Sequence, residues 1–371
     1  MIKIMEVQCS HSVVLLLICT VLVDFSWMGA GAKPQFTAMY VFGDSLSDPG
    51  NNLYFRRTAT KSNYLPYGID FPDGPTGRFS NGKIIVDFLA EFVGLPLLPA
   101  YDNPSTDGEN ILFGVNYASA AAGILDESGI NFGRRIPLSE QIQNFEDTVN
   151  QLRTQMEEEE MSQYLANALV IMAIGANDYI NNYLMPLIFK SSHIYSPEDF
   201  ADLLINQYAN YILELHNLGL KKFFLVDIPP YGCTPLQLIT GRALPGQCIS
   251  STNNVLKMFN SRLESLAAHL NSDFQDSQFV YGPAYRWFFE LRDSSSAYGL
   301  LVTDKGCCRF GPKNFELLCL PSQFPCANRN QYLFWDYAHP TQAANKIFAQ
   351  WAYNSSFSNS YPRNIQEMAN I

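Results

Sequence analysis

The sequence predicts an α/β fold in which a mostly parallel sheet is covered by helices on both faces. Three observations carry this expectation. Short apolar runs at 39–42, 111–115, 169–174, 223–228 and 279–281 have the length and character of buried strands. Helical patterns separate several of them, and alternating strands and helices make a parallel sheet with two covered faces. Ser45 and Asn177 follow directly on such runs and Gly123 lies shortly after one, where open parallel sheets gather ligands beyond the carboxyl ends of their strands.

In chain order, the run 39–42 leads into Gly43-Asp44-Ser45-Leu46. The segment 99–109 is rich in turn residues and reads as a connection, not a domain linker. The run 111–115 precedes a small-residue stretch, 116–123, that ends in Gly123. The acidic run 157–160 reads as a solvated loop or helix start with no catalytic role. The run 169–174 is followed by Gly175-Ala176-Asn177-Asp178. Segments 198–218 and 253–270 carry apolar residues at helical spacing, and Gly219 is a stop signal for the first. Near the carboxyl end stands Asp336-Tyr337-Ala338-His339-Pro340. Proline pushes the residue before it out of the helical region and suits a first helical position itself, so His339 is expected on a loop just before a helix over 341–353. That helix shows an apolar face of Ala344, Ile347, Phe348 and Trp351, and its positive end favours a neutral His339.

These blocks supply the parts of one acyl-transfer machine. A serine hydroxyl is a weak nucleophile at neutral pH and needs a base to take its proton. Beyond residue 32 the chain holds His193, His216, His269 and His339, and only His339 has an acid three positions upstream. Asp336 can curl back to accept a hydrogen bond from the far ring nitrogen, leaving the other nitrogen for Ser45. A tetrahedral intermediate needs donors aimed at its oxyanion. The backbone amides of Ser45 and Gly123 and the side-chain amide of Asn177 are the candidates. At position 177 a carboxylate would repel the forming oxyanion, and an amide does not.

The amino end has Lys3, an apolar run at 13–23 and the small residues Ala30, Gly31 and Ala32, the pattern of a signal peptide over 1–32 that leaves 33–371 as one domain. The run is too short to span a bilayer, which takes about 20 apolar residues, so no stable membrane anchor is expected. Cys233, Cys248, Cys307, Cys308, Cys319 and Cys326 then remain, an even number suited to disulfides in an oxidising compartment. Proximity suggests Cys233 with Cys248, and Cys307 and Cys308 with Cys319 and Cys326 in an order the sequence leaves open. A zinc site in the 307–326 cluster is disfavoured by the secretory context and the spacing. Asn354-Ser355-Ser356 is a glycosylation sequon. A net charge of −11 disfavours nucleic acid or an anionic membrane as partner.

Two rival motifs fail. The stretch 77–83 resembles a phosphate-binding loop, but it is followed by Ile84 where a hydroxyl for magnesium is needed. The Gly-x-Ser-x-Gly elbow is absent around Ser45. The four blocks, together with PYGIDFPDGPTGRFSNG (66–82), GVNYASAAAGILDESG (114–129), DIPPYGCTP (227–235) and PCANRNQYLFWDYAHPT (325–341), resemble the plant GDSL esterase/lipase family of the SGNH-hydrolase superfamily over nearly the whole mature chain. The departures are Pro49 and Tyr231, the latter where a smaller apolar residue is expected; both bear on the shape of the groove.

The resemblance implies a three-layer α/β/α sandwich with a five-stranded, flavodoxin-like sheet. It implies Ser45 as nucleophile, Asp336 and His339 as acid and base, and Ser45, Gly123 and Asn177 as the oxyanion hole. The activity expected is secreted carboxylic ester hydrolysis, in the cell wall or apoplast, of a lipid or other small acylated compound, with no cofactor or metal. An acyltransferase with an alcohol acceptor would use the same residues. A catalytically silent extracellular binder of lipid or glycan esters would be favoured by loss of one of them, and none is lost.

Overall fold

In the computed structural model, which describes residues 33–308, 318–354 and 359–371, the apolar runs build one sheet. Its strands are β1 (Met39–Gly43), β2 (Gly114–Asn116), β3 (Leu169–Ala173), β4 (Lys222–Val226) and β5 (Gln278–Gly282), in the order β2-β1-β3-β4-β5, every pair parallel. The longer helices are α1 (Ile85–Phe92), α2 (Leu138–Leu152), α3 (Glu158–Ala166), α4 (Pro197–Asn217), α5 (Ser250–Asp273), α6 (Ala284–Asp293) and α7 (Gln342–Asn354).

Strand side chains alternate between the faces, and both faces are covered, so the strands read as near-continuous apolar runs. Tyr40, Val170, Phe223 and Phe279 stand in register on one face, under α2 to α5. Val41, Ile171, Phe224 and Val280 stand on the other, under α1, α6 and α7. Each large side chain fully buried this way contributes roughly 1.5–3 kcal/mol by leaving water. The result is the three-layer sandwich with a flavodoxin-like strand order, and Gln35–Ile371 form one compact unit. The strand order reverses between β1 and β3, where a ligand crevice is expected. No helix among the described residues is long and apolar enough to cross a membrane.

Most predicted elements keep their places with shifted ends. Helix α4 begins with Ser196 as cap, its hydroxyl accepting from the Asp199 amide at 3.1 Å, and Pro197 in the first turn. It ends at Asn217, just before Gly219. The acidic run becomes the first turn of α3, where carboxylates favour the positive helix end. The strand expected at 111–115 is displaced: Ile111 closes a short 3-10 turn, and β2 begins at Gly114. Gly114 has φ +109°, and a Cβ there would lie 1.9 Å from the Met39 carbonyl, so only glycine lets the chain enter beside β1.

A parallel pair missing from the sequence reading, β6 (Val302–Gly306) and β7 (Tyr332–Phe334), stands apart from the main sheet. Beyond it, the Cys307 and Cys308 amides donate to the carbonyls of Phe334 and Trp335 at 3.0 and 2.9 Å. This short ladder therefore carries two half-cystines right up to Asp336. The disulfides are Cys233–Cys248, Cys307–Cys326 and Cys308–Cys319, which fixes the order that the sequence left open and replaces any zinc site there. The proposed signal peptide lies outside the described residues. Asn354 is exposed, and the serines of its sequon also lie outside them.

Candidate active site

The turn after β1 presents Ser45. Asp44 folds it: its carboxylate accepts the Leu46 amide at 3.0 Å, and its carbonyl accepts the Ser47 and Asp48 amides at 3.1 and 3.0 Å. Just upstream, buried Gln141 of α2 grips Gly43, accepting its amide and donating to its carbonyl, both at 2.9 Å. The loop from β7 brings up the histidine. The Trp335 amide donates to the His339 carbonyl at 2.7 Å and the Thr341 amide to that of Leu333 at 3.0 Å, closing 335–339 into a tight excursion.

Within that excursion the Asp336 carboxylate turns back on its own loop. One oxygen accepts the Ala338 and His339 amides at 2.8 and 2.7 Å. The other is 2.8 Å from His339 Nδ1 and accepts the Tyr67 hydroxyl at 2.7 Å. His339 Nε2 stands 2.8 Å from Ser45 Oγ. Ser45 is 9%, His339 5% and Asp336 0% exposed, so the chain of bonds runs in a low-dielectric setting that strengthens each of them. The Phe79 ring lies 4.9 Å from the His339 ring, which limits its tilt. The arrangement can pass a proton from Ser45 to His339 with the imidazole tautomer fixed by Asp336.

Asn177 follows β3. Its amide nitrogen donates to the Ala122 carbonyl at 2.9 Å and lies 3.5 Å from an Asp44 carboxylate oxygen, while its own oxygen accepts from Asn181 at 2.5 Å. Asn181 thus turns the donor end of Asn177 toward the Asp44 and Ala122 side. Gly123 is next to Ala122, in a loop pinned by Asp178, which accepts the Ile124 and Leu125 amides at 2.8 and 2.9 Å and the Ser128 hydroxyl at 2.7 Å. A Cβ on Gly123 would stand 2.5 Å from Ser128 Cβ and 2.7 Å from the Asp178 carboxylate, so the approach demands glycine. Among the described residues, neither the Ser45 nor the Gly123 amide donates to an acceptor.

A cleft of about 410 Å³ opens over these groups, with Ser45, Asn177 and His339 on its wall beside Tyr64, Phe132, Ile180 and Leu320. Gly123 itself does not line it, though Ala120 and Ala121 do. Of the two departures noted in the sequence, Tyr231 lines the cleft, and Pro49 gives its carbonyl to Arg78 at 3.2 Å. Arg78 also forms a two-pronged pair with buried Asp87 at 2.8 and 2.7 Å, so the loop-like stretch 77–83 is structural. Among the described residues no cluster of histidine, cysteine and acidic side chains could hold a metal ion.

Sequence reading missed Tyr67, Gln141, Asn181 and Asp48. The Tyr67 hydroxyl also accepts the Cys319 amide at 3.1 Å, so the Cys308–Cys319 loop backs Asp336 through it. Asp48 joins the loops after β1 and β2, accepting the Gly50 and Asn51 amides at 2.7 Å and that of Ala120 at 2.9 Å. Tyr67 and Gln141 reach the four blocks across 269 and 98 positions, whereas Asn181 lies four residues after Asn177 and Asp48 two after Leu46, just outside the blocks.

Several carboxyls around the site are buried enough to favour their neutral form despite donated hydrogen bonds. Burial pushes Asp44 and Asp178 up to about 6, and Asp48 and Asp227 up to about 7. Unfolding returns each to the ordinary value of about 3.9. Between about pH 4 and 7 the folded chain therefore holds protons that the unfolded chain has released, and stability falls as pH rises. Asp102, pushed up to about 6 by burial, adds to the same trend; His216, lowered by desolvation, acts in the opposite sense, and the depressed carboxyls Asp70, Asp202 and Asp276, each beside a cation, act only near and below about pH 4. Thermal unfolding is expected to occur at a higher temperature at pH 5 than at pH 8; a midpoint that climbs with pH would contradict these assignments.

Comparison with known proteins agrees with the geometry in kind. The family model described as GDSL-like Lipase/Acylhydrolase matches residues 39–352. Among curated relatives, the GDSL esterase/lipase At5g08460 of Arabidopsis thaliana is 47% identical over 91% of this chain and 88% of its own length. The GDSL esterase/lipase At1g71250 of the same plant is 47% identical over 91% and 90%. The GDSL esterase/lipase 7, also from Arabidopsis thaliana, is 47% identical over 96% and 99%.

Proposed function

Because the chain belongs to the GDSL-like lipase/acylhydrolase family and is a carboxylic ester hydrolase, we propose that it cleaves its ester through an acyl intermediate on Ser45. Ser45 Oγ attacks the carbonyl carbon while its proton passes to His339 Nε2. The resulting imidazolium is held by Asp336, and the oxyanion is met by the Ser45 and Gly123 amides and the Asn177 side chain. The tetrahedral adduct collapses, the C–O bond to the alcohol breaks, and His339 returns the proton to the leaving oxygen. Water then attacks the acyl-serine, giving one proton to His339; the adduct collapses, the carboxylic acid is released, and the leaving Ser45 oxygen takes that proton back from His339.

The observation that carries this reading is the unbroken run of hydrogen bonds from Asp336 through His339 to Ser45, each link 2.8 Å long and all three residues buried beneath one cleft. The substrate class proposed is a lipid or similarly apolar acyl ester, since the cleft walls are mostly aliphatic and aromatic. Secretion is proposed from the amino-terminal pattern and the three disulfides, which persist in oxidising compartments. Asn177→Ala tests the oxyanion role apart from the nucleophile. It is expected to lower kcat by about 10²–10³-fold with KM little changed. A loss confined to KM would place Asn177 in ground-state binding and overturn its assignment.

A further inference from the structure

A second, smaller cavity of about 100 Å³ lies on the far side of the nucleophile turn, between the sheet and helices α1, α6 and α7. Asp44, Leu46 and Ser47, which flank Ser45, form its upper wall. It descends past Ala173 and Val226 to Leu89 of α1, Trp287 of α6 and Phe348 of α7. Ala173 and Val226 pair in register at the ends of β3 and β4 and are partly exposed, whereas the strand residues before them are buried. Neither lines the larger cleft, so the space they face is this crevice. Tyr231, Thr234 and Ala338 line both cavities and form their common border.

The walls of the crevice are apolar, and its two carboxyls are already engaged. Asp227 accepts the Tyr281 hydroxyl at 2.6 Å and the Tyr285 amide at 2.7 Å, and Asp44 holds its own turn. Walls this apolar disfavour sugars and charged heads and favour methylenes. We propose that the crevice binds the acyl chain of the ester, entering past Tyr231, Thr234 and Ala338 while the carbonyl carbon sits at Ser45, and that the larger cleft holds the alcohol part. This assignment rests on the reading of Ser45 as nucleophile, and it adds a specificity site. It also gives the Tyr231 departure a role, as the side chain at the mouth.

Each methylene buried here rather than in water is worth roughly fourfold in transition-state affinity. Wild-type kcat/KM should therefore rise from p-nitrophenyl acetate to butyrate and level off by octanoate and dodecanoate, because a cavity of about 100 Å³ takes only the first few methylenes. Ala173→Leu and Val226→Phe fill the crevice from two strands. Each is expected to lower the dodecanoate-to-acetate ratio of kcat/KM by at least about tenfold, equivalent to roughly two methylenes turned out of the site. A ratio unchanged in folded variants would overturn the proposal. An independent arm needs no substitution: a crystal structure of wild-type protein carrying a dodecylphosphonyl group on Ser45. Alkyl density between the sheet and α7 supports the crevice, and density along the open cleft overturns it. Wild-type protein that hydrolyses none of the four esters and takes no phosphonyl group would instead defeat the nucleophile reading itself.

Discussion

Ser45→Ala is expected to lower kcat/KM for ester hydrolysis by at least about 10⁴-fold, the scale seen when a nucleophile of a cooperating serine–histidine–aspartate set is removed. The fold should survive. Ser45 gives up one hydroxyl whose hydrogen-bond partner is His339, and the turn around it is held by Asp44 and Gln141. Loss of such a bond typically costs about 1 kcal/mol. Circular dichroism and thermal unfolding of the variant beside wild type separate loss of chemistry from loss of structure. A folded variant that keeps more than a few per cent of wild-type turnover would remove Ser45 from the reaction.

Asp336→Asn is expected to cost about 10⁴-fold in kcat with the backbone geometry retained, for a reason that can be traced atom by atom. Both carboxylate oxygens of Asp336 face donors: two backbone amides on one, the Tyr67 hydroxyl and His339 Nδ1 on the other. An amide has only one accepting end. If it keeps the backbone amides, its NH₂ faces His339 Nδ1 and forces the ring proton onto Nε2, where it blocks acceptance of the Ser45 proton. If it turns over, its NH₂ faces the two backbone N–H groups and the loop 335–339 loses its tie. The kinetic readout is kcat at saturating ester. A loss of only a few-fold would show that His339 does not depend on Asp336 for its tautomer.

The layers of the fold were legible because the central strands are covered on both faces, which makes them apolar runs that stand out against the helical spacing of segments such as 198–218. The site blocks were legible for a related reason: parallel strands end on one edge, so Ser45 and Asn177 needed only to follow their strands. Asp336 and His339 were legible as a local pair, three positions apart. Long-range partnerships were not. Tyr67 meets Asp336 across 269 positions, and Gln141 meets Gly43 across 98, by side-chain contacts that leave no periodic trace. The pair β6 and β7 escaped because Val302–Gly306 is half-exposed and carries Asp304 and Lys305, while Tyr332–Phe334 is too short to show alternation. The strand expected at 111–115 slipped because its apolar residues are split between a 3-10 turn and a strand, a division set by Gly114 packing on Met39.

The central claim is that Ser45 is an activated nucleophile. Intact-mass analysis of the protein after exposure to a fluorophosphonate, followed by peptide mapping, tests it most directly. One adduct per chain, mapped to Ser45 and absent from Ser45→Ala, is the predicted result. Folded protein that takes no adduct, or takes it on another residue, would contradict it.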